Sequence, residues 1–190
     1  MIGGHGTIQR ERAGIEHLPR ELRPFLRRLG VTFGALDVFA PALLKPAARG
    51  ALHAAGLDRR PLAKDMPSVV PASRHLPAGY RPAGEQAVRV DVAEKLLRAA
   101  HEARAKAGRA RHFALDPALA TSTGLKPASW VRLLGAAGFK VQRGRPLAAG
   151  VFGPPSPDKW TWRPSRQSDA PVKPQVREGS AFAALADLVR

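Results

Sequence analysis

The stretch Asp116-Pro117-Ala118-Leu119-Ala120-Thr121-Ser122-Thr123-Gly124-Leu125-Lys126-Pro127-Ala128-Ser129-Trp130-Val131-Arg132-Leu133-Leu134-Gly135-Ala136-Ala137-Gly138 sets the fold expected of the second half of the chain. Asp116-Pro117 is a helix start, a carboxylate cap followed by a proline at the first helical position. Thr121-Ser122-Thr123-Gly124 stops that helix, and Pro127 opens another that presents Trp130, Val131, Leu133 and Leu134 to a core and ends at Gly138. Two helices joined by a glycine-containing turn give the helix-turn-helix layout, with small Ala120 permitting close approach. Phe139-Lys140-Val141-Gln142 and Trp160-Thr161-Trp162-Arg163 alternate in polarity and are expected to pair as a hairpin, a wing beside the helices.

Working outward, Asp91-Val92-Ala93-Glu94 has the spacing of a capping box at the head of a helix whose inward face is Val92, Leu96, Leu97, Ala100 and Ala103. Residues 58–89 carry Pro61, Pro67, Pro71, Pro77 and Pro82 with scattered apolar residues, the composition of a connector. Before it, Leu22, Phe25, Leu26 and Leu29 recur at helical spacing up to Gly30. A β-like patch follows around Gly34, and a second helix is expected from Pro41, kinked at Pro46, with Leu43, Leu44, Ala47, Ala48, Ala51, Leu52 and Ala55 as its buried stripe. The pattern predicts a mainly α fold divided into a helical docking segment at 1–57, the connector at 58–89, a winged helix-turn-helix-like basic module with a small β-hairpin at 90–164, a flexible linker at 165–179 and a terminal docking helix at 180–190.

The charge balance restricts function. There are 31 Lys and Arg against 15 Asp and Glu, a formal net charge of +16 on 190 residues, with no cysteine. The excess is spread along the chain, which points to a polyanion, and phosphate backbones fit better than a membrane surface. Eight basic residues fall between Lys126 and Arg166 against one acid, Asp158. Lys126, Arg132, Lys140, Arg143, Arg145, Lys159, Arg163 and Arg166, interleaved with Trp160 and Trp162, are therefore the candidate nucleic-acid contacts, the cations for phosphates and the rings for unpaired bases. The outward side chains of the third helix, Ala128, Ser129, Arg132 and Gly135, offer little for reading base edges, so contact without sequence readout is expected.

No phosphate-binding loop motif occurs, the six histidines lack ligand-type pairing, and a His101–Glu102 dyad fails because adjacent helical residues point apart. No catalytic residue, metal ligand or cofactor is expected in this chain. The apolar stretch Leu29 to Leu57 is too often interrupted to span a membrane, and a cytoplasmic location is expected.

An ordered series of short segments covers nearly the whole chain. It comprises Leu29-Gly30-Val31-Thr32-Phe33-Gly34, Pro41-Ala42-Leu43-Leu44-Lys45-Pro46-Ala47-Ala48, Gly79-Tyr80-Arg81, Ala87-Val88-Arg89-Val90-Asp91, Leu119-Ala120 with Gly124-Leu125, Gly138-Phe139, Trp160-Thr161-Trp162-Arg163 and Phe182-Ala183-Ala184-Leu185-Ala186. The series resembles the C-terminal region of bacterial superfamily-two helicases related to the mitochondrial degradosome RNA helicase. The resemblance implies an accessory module that grips RNA or DNA beside helicase motor domains, in cis or in trans, with ATP and Mg bound by those motor domains. Two other readings are a protein-interaction module docking through Leu22, Phe25, Leu26, Leu43 and Leu44, and a small DNA-binding regulator built on residues 116–163.

Overall fold

Short strands and helices alternate along the chain, and each strand finds an antiparallel partner. In the computed structural model, the described residues are 6–56, 65–147, 150, 152–153 and 156–163. β1 (Thr7–Gln9), β2 (Thr32–Phe33) and β3 (Asp37–Phe39) form a sheet in the order β1-β3-β2, with Val38 opposite both Ile8 and Phe33. α1 (Leu22–Arg28) lies between β1 and β2 in sequence, a 3-10 turn (Pro41–Leu44) follows β3, and α2 (Pro46–Ala54) follows the turn. β4 (Val69–Pro71), β5 (Tyr80–Ala83) and β6 (Gln86–Arg89) make a second sheet in the order β4-β6-β5. α3 (Val90–Lys106) continues directly from β6, and α4 (Ala118–Thr121), α5 (Pro127–Ala136), β7 (Phe139–Gln142) and β8 (Lys159–Trp162) complete the described chain.

The fold is mixed α/β and not mainly α: helix makes up 35% and strand 19%, in three small antiparallel sheets. Apart from the patch around Gly34 and the C-terminal hairpin, the strands escape a sequence reading because each has three or four residues, too few to show alternation. Proline adds to the concealment. Pro71 and Pro82, which suggest a connector, lie in β4 and β5, the two edges of their sheet, where a missing N–H disrupts no ladder. The central strand β6 has no proline, and its Ala87 and Val88 are fully buried.

Pro46 does not kink a helix. It opens α2, while Lys45 before it is extended, as the steric demand of a proline ring on its predecessor requires. The expected alanine stripe of α2 is not its inward face either; the helix buries Arg49. α1 forms where its apolar spacing places it but buries no residue, leaving Leu22, Phe25 and Leu29 exposed.

α3 is the centre of the packing. Ala93, Leu97 and Ala100 are fully buried in one cluster that takes Leu36 from the first sheet, Ala83 and Val88 from the second, and Leu125, Leu133, Leu134, Phe139 and Trp160 from the C-terminal part. The three segments separated in the sequence by composition thus share a core.

The capping box is replaced by a longer-range contact. Asp91 pairs with Arg89 at 2.6 Å, and no side chain caps α3. Glu94 instead points into the tight β2–β3 turn, where its carboxylate accepts hydrogen bonds from the backbone N–H groups of Ala35, Leu36 and Asp37 at 2.6, 2.8 and 2.8 Å. Gly34 leaves room for that carboxylate, which a Cβ there would overlap. Asp37, buried in the same turn, is held by Arg81 from β5, whose Nε and Nη2 donate to it at 2.6 and 3.0 Å. Burial pushes the Glu94 carboxyl up from its ordinary range, the three amides pull it back, and Asp37 adds to the rise. One acid therefore fastens the first sheet to the central helix, and one ion pair fastens it to the second sheet.

Candidate nucleic-acid interface

Local signals build the C-terminal part as the sequence suggests. The Asp116 carboxylate accepts from the Ala118 amide at 2.8 Å at the head of α4. Gly124, in the left-handed conformation with φ of 81°, ends that helix, and the amides of Gly124 and Leu125 return to the carbonyls of Thr121 and Ala120. α5 then packs Trp130, Leu133 and Leu134 inward, and β7 and β8 follow as a hairpin.

The hairpin register sorts its side chains. Phe139 faces Trp162 and Val141 faces Trp160, so these four share one face; Lys140 and Thr161 share the other with Gln142 and Lys159. Phe113 bridges to Trp160 on the other edge of β8, through Phe113 N–H to Trp160 O at 3.0 Å and the reciprocal bond at 2.8 Å. Trp160 is only 3% exposed and meets Trp130 edge-on at 6.4 Å. It is a core residue with no face for an unpaired base, a correction to its expected role. Trp162 is half-buried: its Nε1 donates to Ala137 O at 2.9 Å, His101 lies against it at 5.6 Å, and the Arg104 guanidinium stacks over it at 4.0 Å.

The outward face of the hairpin carries Lys140 and Lys159 on diagonal positions, and Arg163 follows on the same side as its amide returns to Gly138. All three are exposed, and no carboxylate occupies that face of either strand. Arg143 sits at the neck of the hairpin, paired with Asp158 at 2.9 Å, while Asp158 also accepts from the Gly144 amide. Arg145 is exposed just beyond. Lys126 and Arg132 are placed elsewhere. Lys126 approaches Glu85 at 3.5 Å, and the Arg132 stem lies against Gly84, both in the β5–β6 turn. Gln86 completes that contact, its carboxamide accepting from the Lys126 amide at 2.7 Å and donating to Gly124 O at 3.1 Å. Arg166 lies outside the described residues.

Further cations stand beside the hairpin. Arg104 and Lys106 occupy the last turn of α3, where they also complement the helix dipole, and Arg109 and Arg111 lead into the Phe113 bridge on β8. The signal was present in the sequence: the run Arg104 to Arg111 has four cations and no acid. It reads locally as a solvated helix end, and only the bridge shows that it adjoins the hairpin. Arg104→Ala is expected to cost about 1 kcal/mol through loss of its stacking on Trp162, measurable by urea denaturation.

Burial first, and the charge of Arg104 second, hold the His101 imidazole below its ordinary value of 6.5. The unfolded chain therefore binds this proton more readily than the folded one. Its contribution to stability is present above about pH 6.5 and is lost as pH falls through the folded value. His101→Phe, which keeps a ring against Phe139, is expected to flatten the fall in melting temperature on acidification; an unchanged pH profile would contradict this assignment.

Among the described residues no group of three His, Asp or Glu side chains could hold a metal ion, and no helix is long and apolar enough to cross a membrane. No protein-family model, curated protein or solved structure matches the chain.

Proposed function

We propose that the chain holds nucleic acid by its phosphate backbone, without reading sequence, as a cytoplasmic accessory module of an ATP-dependent helicase. The observation that carries the reading is the outward hairpin face of Lys140, Lys159 and Arg163, free of acids along its strands. A polyanion with regularly spaced charges neutralises such a surface, releasing counterions as it does so. Sequence discrimination by α5 finds less support, because the β5–β6 turn occupies its N-terminal end. The helicase connection rests on the resemblance; ATP and Mg belong to the motor domains that it implies, and no catalytic step is assigned to this chain.

The test is an anisotropy titration of a labelled single strand and a random duplex with the full chain between about 50 and 200 mM salt. Binding that weakens steeply with salt and varies little among sequences supports the proposal; affinity independent of salt contradicts it. The exposed apolar side chains of α1, at 46%, 56% and 63% for Leu22, Phe25 and Leu29, favour a second, compatible reading in which that helix docks on a protein partner. Phe25→Asp would then abolish capture of the partner after nuclease treatment and leave nucleic-acid affinity unchanged.

A further inference from the structure

A groove of about 580 Å³ lies on the N-terminal side of the molecule, lined by Arg27 from α1, Val31 to Phe33 at β2, Pro41, and Arg98 from α3. Its chemistry is specific in two respects. The Phe33 ring is half-buried at an edge strand, with the Arg27 guanidinium over it at 5.9 Å. Arg27 and Arg98 are exposed on either side, and none of the ion pairs among the described residues involves them. Two guanidiniums without a carboxylate and one aromatic face match a phosphate joined to a planar base.

α3 links this groove to the hairpin. Positions 94, 98, 101 and 105 form one stripe of the helix: Glu94 is fastened to the turn after Phe33, and His101 touches Phe139 and Trp162. Arg98 and Arg104 are separated along the axis by about 9 Å at 1.5 Å per residue.

We propose that this groove holds one nucleotide of a single strand, its base against Phe33 and its phosphate between Arg27 and Arg98. A duplex, whose bases are stacked and paired, cannot fill it. The inference rests on the proposed nucleic-acid function and deepens it.

The experiment uses the full chain and a fluorescein-labelled oligothymidylate of about twelve nucleotides, a length within the range covered by one single-strand-binding domain. Arg98→Glu is expected to weaken binding about tenfold, and Arg27→Ala with Arg98→Ala to lower the salt slope by about 1.4, two contacts at about 0.7 each on a single strand. Both arginines are exposed, so an unchanged circular dichroism spectrum is expected, and Arg98→Lys should restore most of the affinity. Ultraviolet cross-linking should mark the peptide containing Phe33. Wild-type binding that Arg98→Glu leaves intact, with no cross-link at Phe33, overturns the groove assignment while leaving the hairpin reading standing. Equal weakening for the strand and for a duplex of the same length also overturns it. No binding by the wild type at low salt overturns both.

Discussion

Glu94→Ala is expected to destabilise the fold by about 4 kcal/mol, among the largest effects any single substitution can have here. The variant strips the acceptor from three consecutive amides, two of whose hydrogen bonds are buried. Unpaired buried donors cost about 1–3 kcal/mol each, and the three share one anion, so the loss is less than their sum. Glu94→Gln separates charge from hydrogen bonding. Its carboxamide oxygen can still accept, but its NH2 opposes at least one of the three donors, so a loss of about 2 kcal/mol is expected. Gly34→Ala attacks the same contact from the turn, because the added methyl group and the carboxylate need the same space. Urea denaturation of the three variants checks the ordering. A Glu94→Ala midpoint within error of the wild type would show that the turn does not depend on this acid.

The second large effect concerns binding. Reversing the outward hairpin face with Lys140→Glu, Lys159→Glu and Arg163→Glu together is expected to weaken single-strand affinity at least about a hundredfold at low salt and to reduce the salt slope by about 2. All three side chains are exposed and lie on the face opposite Phe139, Val141, Trp160 and Trp162, so the core is untouched. Lys126→Glu with Arg132→Glu is the matched comparison. Those cations were candidates on the same sequence grounds, yet they lie beside Glu85 and Gly84, and their reversal is expected to change affinity much less. Anisotropy at two salt concentrations distinguishes the two sets.

How much of this was legible in the sequence follows from the range of each interaction. The two helices α4 and α5 and the hairpin after them are written in local signals, Asp116-Pro117, Gly124, Pro127 and the alternation at 139–142 and 159–162, and these elements form where those signals lie. The burial of one tryptophan and the partial exposure of the other could not be assigned, because Trp160 and Trp162 share one strand face and only the Phe113 bridge and Trp130 decide between them. Glu94 has capping-box spacing, and its true partners lie 57 to 59 positions earlier, where no local pattern reaches. The second sheet was hidden by strands of three or four residues and by prolines at edge positions, while the first showed only as a β-like patch around Gly34. Of the candidate site, the basic residues could be counted in advance but not grouped: pairing with Asp158 engages Arg143, the β5–β6 turn takes Lys126 and Arg132, and Arg104 stacks on Trp162 on the other face of the hairpin.

The most direct test of the central claim is lysine footprinting. The full chain is treated with an amine-acetylating reagent, with and without a saturating single-stranded oligonucleotide at low salt, and modification is read by mass spectrometry. The hairpin face as binding surface predicts that Lys140 and Lys159 become protected while Lys126, beside the β5–β6 turn, reacts as before. Protection of Lys126 without protection of the hairpin lysines, or uniform reactivity under saturating strand, would contradict it.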